Sequence, residues 1–169
     1  MQLLRVFNNN VVLARRGAED VIVTGRGIGF QAKPGTEVDP AKVVKVFVPD
    51  SGRDPDHLAA MIAGIPGGYV QLIIDAMHSV DMSEALRSKL TLVVAIADHI
   101  HGAVSRGNTV SYPLEAEVRH LYAEDFSLAQ KLLTAINRGL HTPLAADEAV
   151  AITLHLVNAG FEVGDLYGT

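Results

Sequence analysis

Over the first 48 residues the apolar positions come in short blocks, Leu3–Phe7, Val11–Ala14, Val21–Thr24 and Val43–Val48. They are separated by Asn8-Asn9-Asn10, Gly17-Ala18-Glu19-Asp20 and Pro34-Gly35, residue types that favour turns. Blocks of β-branched and aliphatic residues between turn formers predict four or so short antiparallel strands. Further along, the apolar residues recur at helical spacing and predict helices over Tyr69–His78, Ser83–Ser105, Pro113–Tyr122, Ser127–Arg138 and Asp147–Asn158, with breaks at Gly107-Asn108, Gly139 and Pro143. Between the two patterns lies Pro49-Asp50-Ser51-Gly52-Arg53-Asp54-Pro55-Asp56, which has no period and reads as linker. The predicted fold is a two-domain α+β chain: a small antiparallel β-sheet domain over residues 1–48, a linker over 49–64, and an all-α five-helix bundle over 65–169.

A sheet of fewer than 50 residues buries little apolar area by itself, so a partner surface is expected, most simply a second copy of the chain. With 49% apolar residues, the 169-residue chain is globular. The apolar run Leu92–Ala97 is far shorter than the roughly 20 residues a bilayer crossing needs. No signal-peptide core is visible at the amino terminus, and a cytoplasmic location without membrane insertion is expected. There is no cysteine, which removes disulfides, thiolate metal sites and cysteine nucleophiles.

The net charge of −5 argues against nucleic-acid binding only until the chain is divided. Residues 1–48 carry seven Lys and Arg against four Asp and Glu, whereas residues 49–169 carry seven against fifteen. Phosphate attraction acts within a Debye length of ~8–10 Å, so the local surplus is what counts.

The basic segment also holds Asn8, Asn10, Gly25, Arg26, Gly27, Phe30 and Gln31 near the ends of its predicted strands. Unpaired bases are held by aromatic stacking and by amide or guanidinium hydrogen bonds, and glycines allow close backbone approach. A plainer reading has the asparagines in a hairpin turn, the glycines at bulges and Phe30 in the core, with Arg5 and Arg26 solvated. Composition alone favours the plainer one.

The strings FNNNVVLA, VIVTGRGIGFQAKPGTEVD and KVVKVF resemble the amino-terminal co-antiterminator RNA-binding domain of the BglG-type transcriptional antiterminators, across nearly all of residues 1–48. The resemblance implies a small antiparallel sheet that works as a symmetric dimer on an RNA hairpin with internal loops. The implied RNA surface is Arg5, which replaces a common lysine, with Asn8, Asn10, Gly25, Arg26, Phe30 and Gln31. Arginine at position 5 keeps a phosphate-pairing charge in a different shape.

In the helical part, Leu86, Leu90, Val93, Ala97, Ile100 and Val104 form one stripe of the predicted helix over 83–105. His101 borders that stripe, while His99 points away from it, near Leu92, Ala95 and Ala103. Residues two apart on a helix do not face one point, so His99 with His101 makes a poor metal clamp; no metal or cofactor is expected. The last predicted helix is apolar except for a narrow stripe of Glu148, Ala151, His155 and Asn158. From the residues alone, His155 is more simply a satisfied structural histidine than the wall of a site, and His99 a surface or interface histidine.

Residues from about 65 to 169, with VAIADHI, SYPLEAEVRHLYAEDF and DEAVAITLHLVNA, resemble one phosphotransferase-system regulation domain. By that resemblance His99 and His155 occupy the two phosphoryl-accepting positions. The implied function is a sugar-responsive antiterminator that stabilises a leader-RNA hairpin against an overlapping terminator, without catalysis. Its implied partners are the RNA hairpin, a second copy of itself, and a sugar permease or the carrier HPr as phosphoryl donor. Full-length members carry two regulation domains, so a fragment or a shortened protein is expected, and the inhibitory role is the one expected of the domain present. The alternatives are a phosphorylation-controlled module acting through protein or DNA contacts and, third, a histidine-dependent enzyme.

Overall fold

In the computed structural model, residues 1–49, 53–66, 68–107 and 112–166 are described, with side chains through residue 160. Four strands, β1 (Gln2–Asn8), β2 (Val11–Arg16), β3 (Glu19–Thr24) and β4 (Lys45–Phe47), form one antiparallel sheet in the order β1-β2-β3-β4. In-register pairs such as Val12 with Val23 and Leu13 with Ile22 put alternate residues on opposite faces. On β1 the register shifts twice, between Leu3 and Arg5 and between Val6 and Asn8.

One face carries Leu3, Val12, Ala14, Val21 and Val23, closed over by Ile28 and Val38 from the long β3–β4 connection. The opposite face carries Val11, Leu13, Ile22, Thr24 and Phe47, all buried. Helix α1 (Pro55–Ala63) lies against β1, β2 and β3 and buries Leu58, Ala59 and Ile62. The sheet thus has apolar cover on both faces within its own chain.

Helix α1 falls in the stretch expected to be linker. Its start is encoded by Asp54, whose side chain accepts from the Asp56 backbone N–H at 3.1 Å, and by Pro55 in the first turn. Residues 50–52 of that stretch lie outside the described residues.

The chain separates into two compact units, Met1–Pro66 and Gly67–Thr169. Among the described residues the second holds α2 (Tyr69–Ser79), α3 (Glu84–Arg87), α4 (Leu90–Arg106), α5 (Glu115–Leu121), α6 (Ala123–Arg138) and α7 (Glu148–Leu166). The antiparallel sheet followed by helices is the α+β class expected, with one refinement. The helix expected over residues 83–105 is two, because Ser88 closes α3 with its N–H on the Glu84 carbonyl and the extended Lys89 opens α4. At its other end α4 stops at Gly107, as expected.

On α4, Leu90, Leu92, Val93, Ile96, Ala97, Ile100 and Ala103 are buried, but Val104 at the end of the expected stripe is exposed. This helix packs against both α2 and α7, so its apolar surface is broader than one stripe. The Leu92 and Ala103 side, to which His99 belongs, is therefore interior. Among the described residues no helix is long and apolar enough to cross a membrane.

Candidate functional site

The residues singled out in the sheet unit gather around two linked loops. The Asn8 side-chain oxygen accepts from the Asn10 backbone N–H at 2.7 Å and fixes the β1–β2 turn. That turn then holds the loop after β3: Gly25 N–H donates to Asn10 O at 3.0 Å, Gly29 N–H to Asn9 O at 2.8 Å, and Gly27 N–H to Asn10 Oδ1 at 3.1 Å. Two glycines of this loop are required by close approaches of other backbone. A Cβ on Gly25 would lie 1.8 Å from the Lys42 carbonyl oxygen, and one on Gly29 would lie 2.1 Å from that of Asn8.

The clamped loop presents Arg26, Phe30 and Gln31, all exposed, beside exposed Asn10. Phe30 is 56% exposed, so the plainer reading that seats it in the core does not hold; Ile28 supplies the buried side chain from this loop. Gln31 has a left-handed backbone, with φ 54°. Arg5 and Asn8 are held differently. The Arg5 guanidinium bonds to Asp56 Oδ1 at 3.0 Å, with its carbon 5.1 Å from the Phe7 ring centre, and Asn8 Nδ2 donates to the Ala63 carbonyl at 3.2 Å. Helix α1 therefore engages the two expected RNA contacts that lie on β1. The sequence pattern hides this engagement, because residues 49–64 read as linker.

In the helical unit His99 on α4 and His155 on α7 meet edge to face, their ring centres 5.9 Å apart at 60°. His101 leaves in another direction and packs 5.2 Å from the ring of Tyr69 on α2. Between α4 and α7 sits Glu148, whose side chain is only 2% exposed. Its Oε2 is 2.6 Å from His99 Nε2 and accepts from the Tyr112 hydroxyl at 2.9 Å. Glu148 begins α7, where the helix dipole favours a carboxylate, and the two side-chain partners offset its burial.

Burial, the hydrogen bond to Glu148 and that carboxylate's charge push the Tyr112 hydroxyl up to about 12, with Arg106 opposing. His155 is held below 6.5, first by burial and second by the charge of His99. Tyr112 and Glu148 are not among the site residues expected from the sequence. Glu148 shares the polar stripe of His155, two turns away, which is the available signal; nothing in the spacing marks Tyr112. Among the described residues no group of three or more His, Asp or Glu is arranged to hold a metal ion.

A sheet whose loops display an arginine, an aromatic ring and amides, followed by helices that enclose a histidine pair beside a buried acid, marks two separate candidate sites, one in each unit. Comparison with known proteins agrees: the CAT RNA binding domain matches residues 1–54 and the PRD domain residues 73–159. The chain belongs to the BglG-type antiterminator family, with a CAT RNA binding domain followed by a PRD domain. It is 28% identical to the transcription antiterminator LicT of Bacillus subtilis (strain 168), over 94% of this chain and 59% of that protein. To the beta-glucoside operon antiterminator of Dickeya chrysanthemi it is 32% identical, over 94% of this chain and 58% of that protein. The chain thus spans under two thirds of the length of these relatives. In fold it is similar to the crystal structure of GlcT CAT-PRDI, with a TM-score of 0.73 at 23% identity, covering 94% of this chain and 96% of the other.

Proposed function

We propose that this chain is an RNA-binding transcriptional antiterminator controlled by histidine phosphorylation. The observation that carries the reading is the loop of Arg26, Phe30 and Gln31, held out beside Asn10 by the asparagine turn, within the segment that matches the CAT RNA binding domain. An exposed ring between a guanidinium and amides is suited to stacking and hydrogen-bonding unpaired bases in the internal loops of a hairpin. Arg5, Asn8 and Gly25 complete the proposed surface, with Gly25 acting through the close approach of the backbone to Lys42. Two copies would grip one hairpin and hold it in the form that excludes an overlapping terminator. The protein would work in the cytoplasm, where nascent RNA is found.

His99 and His155 are the proposed phosphoryl acceptors, with a sugar permease or HPr as donor. A dianionic group on either ring, facing its counterpart on the second copy, would be repelled, and that repulsion shifts the population between arrangements of the dimer. No turnover by the chain itself is needed. Titrating an RNA hairpin carrying two internal loops with the 169-residue chain tests the reading: binding that weakens with salt and is lost in Asn10→Ala supports it, and a chain indifferent to hairpin RNA refutes it.

A further inference from the structure

We propose that His99 accepts its phosphoryl group at Nδ1, and that Glu148, steadied by Tyr112, is the positioning residue that makes this choice. The inference rests on the phosphoryl-accepting reading above and goes beyond it in assigning the reactive atom. An imidazole has two nitrogens, and only the one without a proton has a lone pair to offer. Oε2 of Glu148 receives the Tyr112 hydroxyl at 2.9 Å, and Tyr112 keeps its proton far into the alkaline range. The same oxygen lies 2.6 Å from His99 Nε2, a separation at which a carboxylate needs a proton from the ring. The proton is therefore on Nε2, and Nδ1 carries the lone pair.

Sterics and charge agree with this assignment. A phosphoryl group on Nε2 would have to occupy the space in which Glu148 Oε2 sits, and would set a dianion against a carboxylate with 2% exposure. Placed on Nδ1, it leaves the Glu148 bond intact. The Nδ1 lone pair forms the new P–N bond as the donor's P–N bond breaks, and that electron pair returns to the donor nitrogen. The Nε2 proton stays on the ring, shared with Glu148, whose charge offsets the positive charge the ring acquires. Tyr112 donates to the same oxygen of the acid and holds it in place.

Potassium phosphoramidate, a small donor that needs no protein recognition, tests the assignment on the 169-residue chain labelled with ¹⁵N-histidine. Long-range proton–nitrogen correlation shows which nitrogen of His99 bears phosphorus. The expected product is the Nδ1 isomer alone. Glu148→Gln is isosteric and can donate to Nε2 as well as accept from it, so the Nε2 isomer should appear and Nδ1 labelling should slow by roughly tenfold. Tyr112→Phe keeps the acid, and with it the Nδ1 isomer, at a reduced rate. Phosphorus on Nε2 of the native chain, or an isomer pattern unchanged in Glu148→Gln, overturns the assignment and leaves the proposed function standing. No phosphorus on His99 at all, while the unfolded chain is labelled, overturns the phosphoryl-accepting reading and this inference with it.

Discussion

His99 on α4 and His155 on α7 stand edge to face with ring centres 5.9 Å apart, although 56 positions separate them along the sequence. The contact makes the two proposed acceptors one site. A phosphoryl group on either ring changes the surroundings of the other, so the two modifications should not be independent.

His155 gives the helical unit a pH-dependent stability. Its folded-state value is lowered from 6.5, by burial first and by His99 second, so the unfolded chain takes up a proton that the folded chain resists. Stability is then full above about 6.5 and falls as the pH drops through that value toward the lowered one. Thermal unfolding between about pH 5 and 8 should show this slope in the native chain and a flatter profile in His155→Gln. Parallel profiles would contradict it.

Tyr112 should ionise late. Its hydroxyl is pushed from 10.0 up to about 12, so in a spectrophotometric titration one phenol remains protonated after ordinary tyrosines have ionised. The sign is that of a raised acid: the stability Tyr112 contributes is whole below pH 10 and is lost as the pH climbs toward 12. The late step should disappear in Tyr112→Phe.

Much of this arrangement is legible in the sequence, and the parts that are not have specific causes. The apolar blocks and turn residues locate all four strands, because strands buried on both faces read as short unbroken apolar runs between turn formers. Asp54-Pro55 resembles linker punctuation, yet an acid before proline is also how a helix begins, and here it opens α1. Periodicity shows His99 pointing away from one apolar stripe but not that a second helix packs on that side. Tyr112 meets Glu148 across 36 positions, and the asparagine turn holds the glycine loop through backbone bonds that no periodicity records.

Arg5 should bind RNA better once its partner is removed. Its bond to Asp56 is an exposed ion pair, of a kind worth up to about 1 kcal/mol. Asp56→Asn should therefore raise hairpin affinity by as much as about fivefold, measured by filter binding, with α1 retained because its cap is Asp54. Unchanged or weaker binding would remove α1 from the control of this surface.

Gly25 should tolerate no side chain. A Cβ 1.8 Å from the Lys42 carbonyl oxygen must displace backbone, so Gly25→Ala should cost the sheet unit about 1–3 kcal/mol in denaturant unfolding and weaken RNA binding too. Gly64→Ala is the control: its φ is −75° and the nearest neighbours of a Cβ there would be at 3.4 and 3.5 Å, so a change within about 0.5 kcal/mol is expected.

Whether the loop held by the asparagine turn reads RNA is measured most directly at Phe30. The side chain is 56% exposed, so its loss should leave the fold intact. Equilibrium binding of an RNA hairpin with two internal loops should weaken by about 5- to 150-fold in Phe30→Ala, the range for removing one base–aromatic stack of about 1–3 kcal/mol. Equal affinity of the two chains, with unfolding curves that coincide, would contradict RNA reading by this loop.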